Sequence, residues 1–358
     1  MKVLIAAGGT GGHIYPGISL AKEIIRRNPD SEVLFVGTSR GLENRIIPEN
    51  GFQLSLINSA GLKKVGLVGK LKGLSILPRS LYEAWRLLRD FKPEVVVGAG
   101  GYVSGPVVLT AHFMGYPTMI MDSNAIPGFT NRRLARFIDR AALTFEEALP
   151  FFGTKGKVTG NPVRTEFFNI PTREPKVPVH LLITGGSQGS HAINMAAVAA
   201  LPLVKASGLD FTVTHQTGDA DLEQVHSSYS EAGVHADVKP FISNIVGEFE
   251  KADLIICRAG ATTCAEIEAA GKPAIMIPLP GAADDHQRKN AEALEKHGAV
   301  KTIIQSDLNP GLLAGVLQEL LASPQLISQM GASARKLARK DAAESAVDMI
   351  EELRGIRK

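Results

Sequence analysis

The sequence predicts an α/β protein built as two doubly wound, Rossmann-like parallel-sheet domains. Three observations carry that reading. Short aliphatic runs alternate with longer helical patterns along all 358 residues, glycine-rich turns follow strands in both halves, and a proline-dense stretch divides the halves. A chain of this length exceeds one comfortable core and suits two domains of ordinary size.

In the first half the apolar runs fall at residues 2–6, 33–36, 53–57, 95–97, 118–121 and 142–144. In the second they fall at 180–184, 211–216, 234–238, 254–257, 274–277 and 300–304. Continuous rather than alternating apolar strands, spaced by amphipathic helices, indicate sheets covered on both faces. Between the halves, Gly160-Asn161-Pro162-Val163-Arg164 leads to Pro171, Pro175 and Pro178, the best candidate linker. The expected boundaries are therefore 1–163 and 164–341. A last helix within 342–358, with Ala346, Val347, Ile350 and Leu353 at helical spacing, is expected to return to the first domain.

Bulk properties exclude several classes. At 44% hydrophobic and 21% charged residues, the chain is folded rather than disordered or fibrous. Its two cysteines, Cys257 and Cys264, suggest neither a disulfide framework nor a zinc site, and favour a reducing compartment. The N-terminal apolar run is short and enters a glycine turn, so it reads as a buried strand and not a signal peptide. No window is long and apolar enough to span a bilayer. A net charge of only +3 argues against nucleic acid as a partner. The charge is uneven, however: residues 61–92 hold eight basic against two acidic residues, a local +6.

Three glycine segments stand where parallel sheets bind ligands, beyond the carboxyl ends of strands. They are Gly8-Gly9-Thr10-Gly11-Gly12-His13, Gly98-Ala99-Gly100-Gly101-Tyr102-Val103-Ser104-Gly105 and Gly185-Gly186-Ser187-Gln188-Gly189-Ser190. Glycine admits close approach of an anion, and the amides of a following helix favour negative charge. One such turn is also common as plain packing; three in matching places point to phosphate or diphosphate. A dinucleotide oxidoreductase fits badly. Counting G-x-G-x-x-G from Gly9 puts Ile14 at the third glycine, and Val36-Gly37-Thr38 lacks the acidic residue for a ribose. No P-loop sequence occurs.

Gly8 to His13 with Tyr15-Pro16, Gly100 to Pro106, Asn161-Pro162-Val163-Arg164, Gly185 to Gly189 and Arg258-Ala259-Gly260-Ala261-Thr262 together resemble the MurG family of N-acetylglucosaminyltransferases. The likeness runs in order along nearly the whole chain. It implies a GT-B fold with a cleft between its domains, UDP-GlcNAc as donor, and undecaprenyl-diphospho-muramoyl-pentapeptide as acceptor. The new β-1,4 linkage would form with inversion. The resemblance implies that the second domain holds the donor and the first the acceptor. Ser187 and Gln188 would face the diphosphate, Arg164 and Ile242 the uracil, Glu266 the ribose hydroxyls and Gln287 the GlcNAc. The run Ala261, Thr262, Thr263, Cys264, Ala265 would line the same nucleotide. Thr10, Gly11, Gly12 and Asn124 would reach across from the first domain. Glu266 has a plainer reading too, as the end of a Thr263-x-x-Glu266 capping box for a helix closed by Gly271. The place of His286 beside Gln287 is left open.

Inverting transfer needs a base for the attacking 4-hydroxyl and stabilisation of the departing diphosphate. His13 is the first choice as base, because it follows a glycine turn and imidazole is mostly neutral near pH 7. The alternatives are a structural hydrogen bond or orientation of the acceptor diphosphate. Tyr102 and Asn124 are candidates for positioning the substrates. Asp219-Ala220-Asp221 has the D-x-D pattern of metal-dependent sugar transferases, but helix capping explains it, so neither a metal nor another cofactor is expected. The lipid tail of the acceptor requires a protein that comes to an anionic membrane. Leu67, Lys70, Leu71, Lys72, Leu74, Leu77, Arg79, Leu81 and Trp85 supply apolar area rimmed by cations, on or near a helix at 78–90. A peripheral place on the cytoplasmic side of the cell membrane follows as an expectation. The rivals are a UDP-GlcNAc 2-epimerase, which needs no lipid acceptor, and a non-catalytic nucleotide-sugar-binding scaffold.

Overall fold

A computed structural model describes residues 1–9, 11–39, 41–59, 67–186, 188–282 and 285–355, with backbone alone over 67–76. Thr10 and Ser187, and the side chains of Leu67, Lys70, Leu71, Lys72 and Leu74, therefore lie outside the described residues. The chain divides into two compact units, one of Met1–Val163 with the chain from Arg339 onward, the other of Arg164–Ala338.

The first unit contains β1 (Lys2–Ala7), α1 (Gly11–Arg27), β2 (Glu32–Gly37), α2 (Glu43–Glu49), β3 (Gln53–Leu56), α3 (Leu67–Phe91), β4 (Val95–Gly100), α4 (Ser104–Phe113), β5 (Thr118–Asp122), α5 (Phe129–Leu134), β6 (Arg140–Leu143) and β7 (Gly156–Val158). Its seven described strands are all parallel, in the order β3-β2-β1-β4-β5-β6-β7. Successive side chains of a strand point to opposite faces. Accordingly Val3, Ile5 and Ala7 join the core under α1, while Leu4 and Ala6 join the core under α3 and α4. Both faces are apolar because both are covered, which is why these strands read as unbroken runs.

The second unit repeats the plan with β8 (Val179–Thr184), α6 (His191–Ala206), β9 (Phe211–Gln216), α7 (Leu222–Glu231), β10 (Ala236–Lys239), α8 (Ile245–Lys251), β11 (Leu254–Cys257), α9 (Ala261–Ala270), β12 (Ala274–Met276), α10 (His286–Lys296), β13 (Val300–Thr302), α11 (Pro310–Leu321) and α12 (Pro324–Leu337). The order β10-β9-β8-β11-β12-β13 is again parallel throughout. The final helix, α13 (Ala342–Gly355), packs on α1 of the first unit and buries Ala346, Val347, Ile350 and Leu353 there. Arg27 ties the two helices further, reaching Asp348 at 2.7 Å and Glu351 at 3.2 Å.

Two local expectations fail. The helix expected at 78–90 begins earlier and runs through Pro78, so that proline lies inside α3 and does not open it. Strand β7 was not expected, since its three residues include Gly156 and Lys157 and have no apolar run to reveal them.

Candidate active site

In each sheet the strand order reverses once, between β1 and β4 in the first unit and between β8 and β11 in the second. Open parallel sheets bind ligands at such reversals, beyond the carboxyl ends of the strands. Each of the sequence's glycine turns stands at one.

In the first unit, Gly8 and Gly9 leave β1 and Gly100 and Gly101 end β4. Gly9, Gly100 and Gly101 all have positive φ, at 91°, 114° and 82°, where other residues are strained. The two turns pack backbone to backbone. A Cβ on Gly101 would collide with the Gly8 carbonyl, and one on Gly100 would collide with the His13 ring. His13, on the third residue of α1, is thereby seated against the β4 turn. Ser104 locks that turn, its Oγ accepting from Gly100 N at 3.0 Å and sharing its one proton between the carbonyls of Ala6 and Gly100. Tyr102 follows directly and is exposed; its carbonyl accepts from Ser59 Oγ at 2.9 Å. Asn124 leaves the neighbouring strand β5, and its amide donates to Asp122 Oδ1 at 3.0 Å. Asp122 is buried and also holds Gly128 N and Asn131 Nδ2. Burial raises its carboxyl, against the pull of those donors.

In the second unit, Gly186 and Gly189 carry positive φ in the turn after β8. A Cβ on Gly189 would meet the Thr217 carbonyl, and one on Gly218 the Gln188 carbonyl, so the turns after β8 and β9 also interlock. Gln216, buried at the end of β9, ties the turn after β8 to Ile242, an expected uracil contact. Its Nε2 donates to the Gly186 carbonyl at 2.7 Å and its Oε1 accepts from Ile242 N at 2.8 Å. Arg258, at the end of β11, donates to Ser190 Oγ at 2.6 Å and to the Ile277 carbonyl at 3.0 Å, bracing the N-terminus of α6.

The structure brings Arg164 and Glu266 together, with Nη2 to Oε1 at 3.8 Å, and Arg164 lies over the Phe167 ring at 5.0 Å. Burial raises the Glu266 carboxyl to about 7, while Arg164 pulls it the other way. The capping box fails here: Gly260 occupies the cap position of α9, Thr263 lies inside the helix, and no side chain caps it. Gly271 does end the helix, in the left-handed conformation. Glu266 is therefore left for another role. Cys264 and Ala265 are buried, so only their backbone could meet a nucleotide. Gln287 Oε1 accepts from Leu279 N at 2.9 Å, which leaves its NH₂ as the group to offer a sugar.

Three amides of the glycine turns serve the fold, and one reading, side-chain capping by the D-x-D aspartates, is corrected. The amides of Gly9, Gly186 and Gly189 donate to Glu43, Thr184 Oγ1 and the Gly186 carbonyl, so these three fix turns and are not offered to a bound phosphate. Asp221 caps nothing with its side chain. It pairs with His191 Nδ1 at 2.9 Å and Asn194 Nδ2 at 2.8 Å. Asn194 Oδ1 in turn faces His215 Nε2, whose ring also meets Tyr229 OH, and burial lowers this histidine to about 3. Among the described residues no group of three or more His, Cys, Asp and Glu side chains is placed to hold a metal ion.

Helix α3 presents Arg79, Tyr82, Trp85 and Arg89 outward and packs Ala84 and Leu88 inward; Leu77 and Leu81 are half-buried at its flanks. Trp85 stacks on Tyr82 and under the Arg89 guanidinium. On the adjacent α4, Phe113 is 73% exposed beside Phe137 and Arg136. Among the described residues no helix is long and apolar enough to cross a membrane.

Paired doubly wound units with these turns at both strand reversals are the GT-B architecture, the fold of a class of nucleotide-sugar glycosyltransferases. Residues 3–143 match the glycosyltransferase family 28 N-terminal domain and residues 180–346 its C-terminal domain. A protein of Pelobacter propionicus named UDP-N-acetylglucosamine–N-acetylmuramyl-(pentapeptide) pyrophosphoryl-undecaprenol N-acetylglucosamine transferase is 44% identical, across 98% of this chain and 99% of its own. The crystal structure of Acinetobacter baumannii MurG superposes with a TM-score of 0.82 at 32% identity, covering 98% of this chain and 99% of that one. The chain belongs to the MurG family of glycosyltransferases. A UDP-GlcNAc 2-epimerase of Neisseria meningitidis, bound to UDP-GlcNAc, has a TM-score of 0.70 over 98% of this chain and all of its own. At 15% identity that likeness is one of fold alone.

Proposed function

We propose that this chain moves N-acetylglucosamine from UDP-GlcNAc to the 4-hydroxyl of undecaprenyl-diphospho-muramoyl-pentapeptide, with inversion, in peptidoglycan synthesis. The observation that carries the reading is the full-length likeness to a relative named for that transfer. In the step itself, the acceptor oxygen bonds to C1 of GlcNAc as the C1–O bond to UDP breaks. UDP leaves with the electron pair, and the hydroxyl proton passes to His13.

Glu266 accepts from the ribose hydroxyls, and Arg164 lies beside it at the uracil with Ile242. The α9 residues Ala261, Thr262, Thr263, Cys264 and Ala265 line the nucleotide. Gln188, Ser187 and the first turn of α6 meet the diphosphate, and Gln287 donates to the sugar. In the first unit, Thr10, Gly11, Gly12 and Asn124 contact the donor and Tyr102 the acceptor. Incubating the protein with labelled UDP-GlcNAc, with and without a lipid-linked muramoyl-pentapeptide analogue, tests the reading. A disaccharide product is expected. Turnover of UDP-GlcNAc alone would instead favour an epimerase, and donor binding without product a scaffold.

No metal is needed in this reading, because helix N-termini supply the positive charge, and Asp221 is engaged by His191 and Asn194. EDTA is therefore expected to leave turnover unchanged; loss on chelation, restored by Mg²⁺, would overturn this part.

The protein attaches peripherally to the cytoplasmic side of the membrane through α3 and the aromatic residues beside it. Cations near an anionic surface contribute about 1 kcal/mol each. Reversing Lys70, Lys72 and Arg79 to glutamate is expected to weaken binding to vesicles rich in anionic lipid about 10²-fold at physiological salt. Turnover on a soluble acceptor should not change. Undiminished vesicle binding would place the contact elsewhere.

A further inference from the structure

The first glycine turn holds a carboxylate that no reading of phosphate binding requires. Glu43, the first residue of α2, is wholly buried. Its Oε2 accepts from Gly9 N at 3.0 Å; its Oε1 accepts from Thr38 N at 2.9 Å and from Thr38 Oγ1 at 2.8 Å. Three glycines make room for it. A Cβ on Gly8 would stand 2.8 Å from Glu43 Oε1, one on Gly37 would stand 2.6 Å from its Cγ, and one on Gly41 would overlap the carboxylate. These donors hold the carboxyl below its ordinary range although burial opposes them, so it is charged at neutral pH.

What Glu43 holds is the turn that leads to His13. Gly8 lies between Glu43 on one side and Gly101 on the other, and His13, in the first turn of α1, lies against Gly100. The Gly8-Gly9 backbone is thus pinned from both sides, and the ring that follows can settle only where the β4 turn admits it. We propose that Glu43 is a positioning residue for His13: it fixes the turn after β1 so that the imidazole is seated for proton transfer, and its negative charge keeps phosphate away from the Gly9 amide. This rests on the reading of His13 as the base. A misplacement of about 1 Å in such a group is enough to cost about 10²-fold in rate, so a partial release has room to be measured.

Glu43→Gln tests it with little change of shape. Both carboxylate oxygens accept from backbone amides, so a glutamine must turn its NH₂ toward either Gly9 N–H or Thr38 N–H, and one of the two bonds is lost. Turnover of the full-length variant is expected to fall about tenfold, with affinity for UDP, whose contacts lie in the second unit, unchanged. The double variant with His13→Ala decides the route. If Glu43 acts through His13, adding Glu43→Gln to His13→Ala lowers turnover no further. An equal fall in both backgrounds, or no fall in the wild-type background, overturns the proposal. Should the glutamine variant not fold, Glu43→Asp, which keeps the charge but is too short to hold both turns, enters the same cycle. Failure of the base reading has its own signature, a normal turnover for His13→Ala alone.

Discussion

Replacing His13 with alanine is expected to lower turnover by about 10²-fold or more while leaving affinity for UDP nearly intact. A positioned general base contributes about 10² to 10⁴ in rate, and water filling the vacated space does not recover its placement. The ring sits at the strand reversal of the first unit, whereas Arg164, Glu266 and Ile242 belong to the second, so the variant should separate chemistry from nucleotide binding. Two kinetic readouts distinguish a base from a residue that merely orients the acceptor diphosphate. Loss of a base lowers kcat at unchanged acceptor KM and removes the acid limb of the pH–rate profile; loss of an orienting group raises acceptor KM and keeps that limb. Gly100→Ala supplies an independent route to the same end, since its Cβ would force the imidazole aside. Turnover of His13→Ala within a factor of about three of the wild type would remove it from the chemistry.

The sheets were legible because burial on both faces writes itself into sequence as unbroken aliphatic runs. Val95, Val96 and Val97 could belong to nothing but a covered strand, and β4 is that strand. Where that signal was absent the reading failed. Gly156-Lys157-Val158 forms an edge strand whose only credential is its neighbour Ala141-Ala142-Leu143, a fact of pairing and not of composition. Pro78 reads as a helix start, yet α3 continues through it. The glycine turns were found, and part of their glycine content serves the fold itself. Positive φ and backbone-to-backbone approach, at Gly101 on Gly8 and at Gly189 on Thr217, account for those glycines. The amides of Gly9, Gly186 and Gly189 are spent within the protein.

The residues that hold the candidate site were the least legible. Glu43, Asp122 and Gln216 are buried polar groups whose partners lie 5 and 34, 2 to 9, and 26 to 32 positions away. No local pattern marks such a residue; a lone glutamate before Asn44-Arg45-Ile46 looks like an exposed helix start. Gln216 gave a faint sign, as a polar ending to the run Phe211–Gln216 where an aliphatic residue would be the plain choice. The apparent capping box at Thr263 and Glu266 shows the opposite error, a local pattern with no local use. Helix α9 starts two residues before Thr263, which leaves the Glu266 side chain facing Arg164 rather than a helix end.

Glu266 should then couple nucleotide binding to pH. Its carboxyl titrates near 7 in the folded protein because burial disfavours the charge, against an ordinary value of 4.5. Stability present below pH 4.5 is therefore lost as the pH rises toward 7, by a few kcal/mol at most, since a shift of one pH unit corresponds to about 1.4 kcal/mol. Glu266→Gln removes that dependence, and urea midpoints at pH 5 and pH 8 should draw together in the variant. Ribose hydroxyls donating to the carboxylate act the other way, by favouring the ionised form. Affinity for UDP should accordingly rise as the pH passes upward through 7, with proton release that calorimetry in buffers of different ionisation enthalpy would count. Each hydrogen bond to a charged acceptor contributes about 1.5 to 3 kcal/mol, so Glu266→Ala is expected to weaken UDP binding about 10³-fold and to abolish the proton release. An affinity that neither falls in Glu266→Ala nor varies between pH 6 and pH 8 in the wild type would take the ribose away from Glu266, and leave its contact with Arg164 as a structural ion pair.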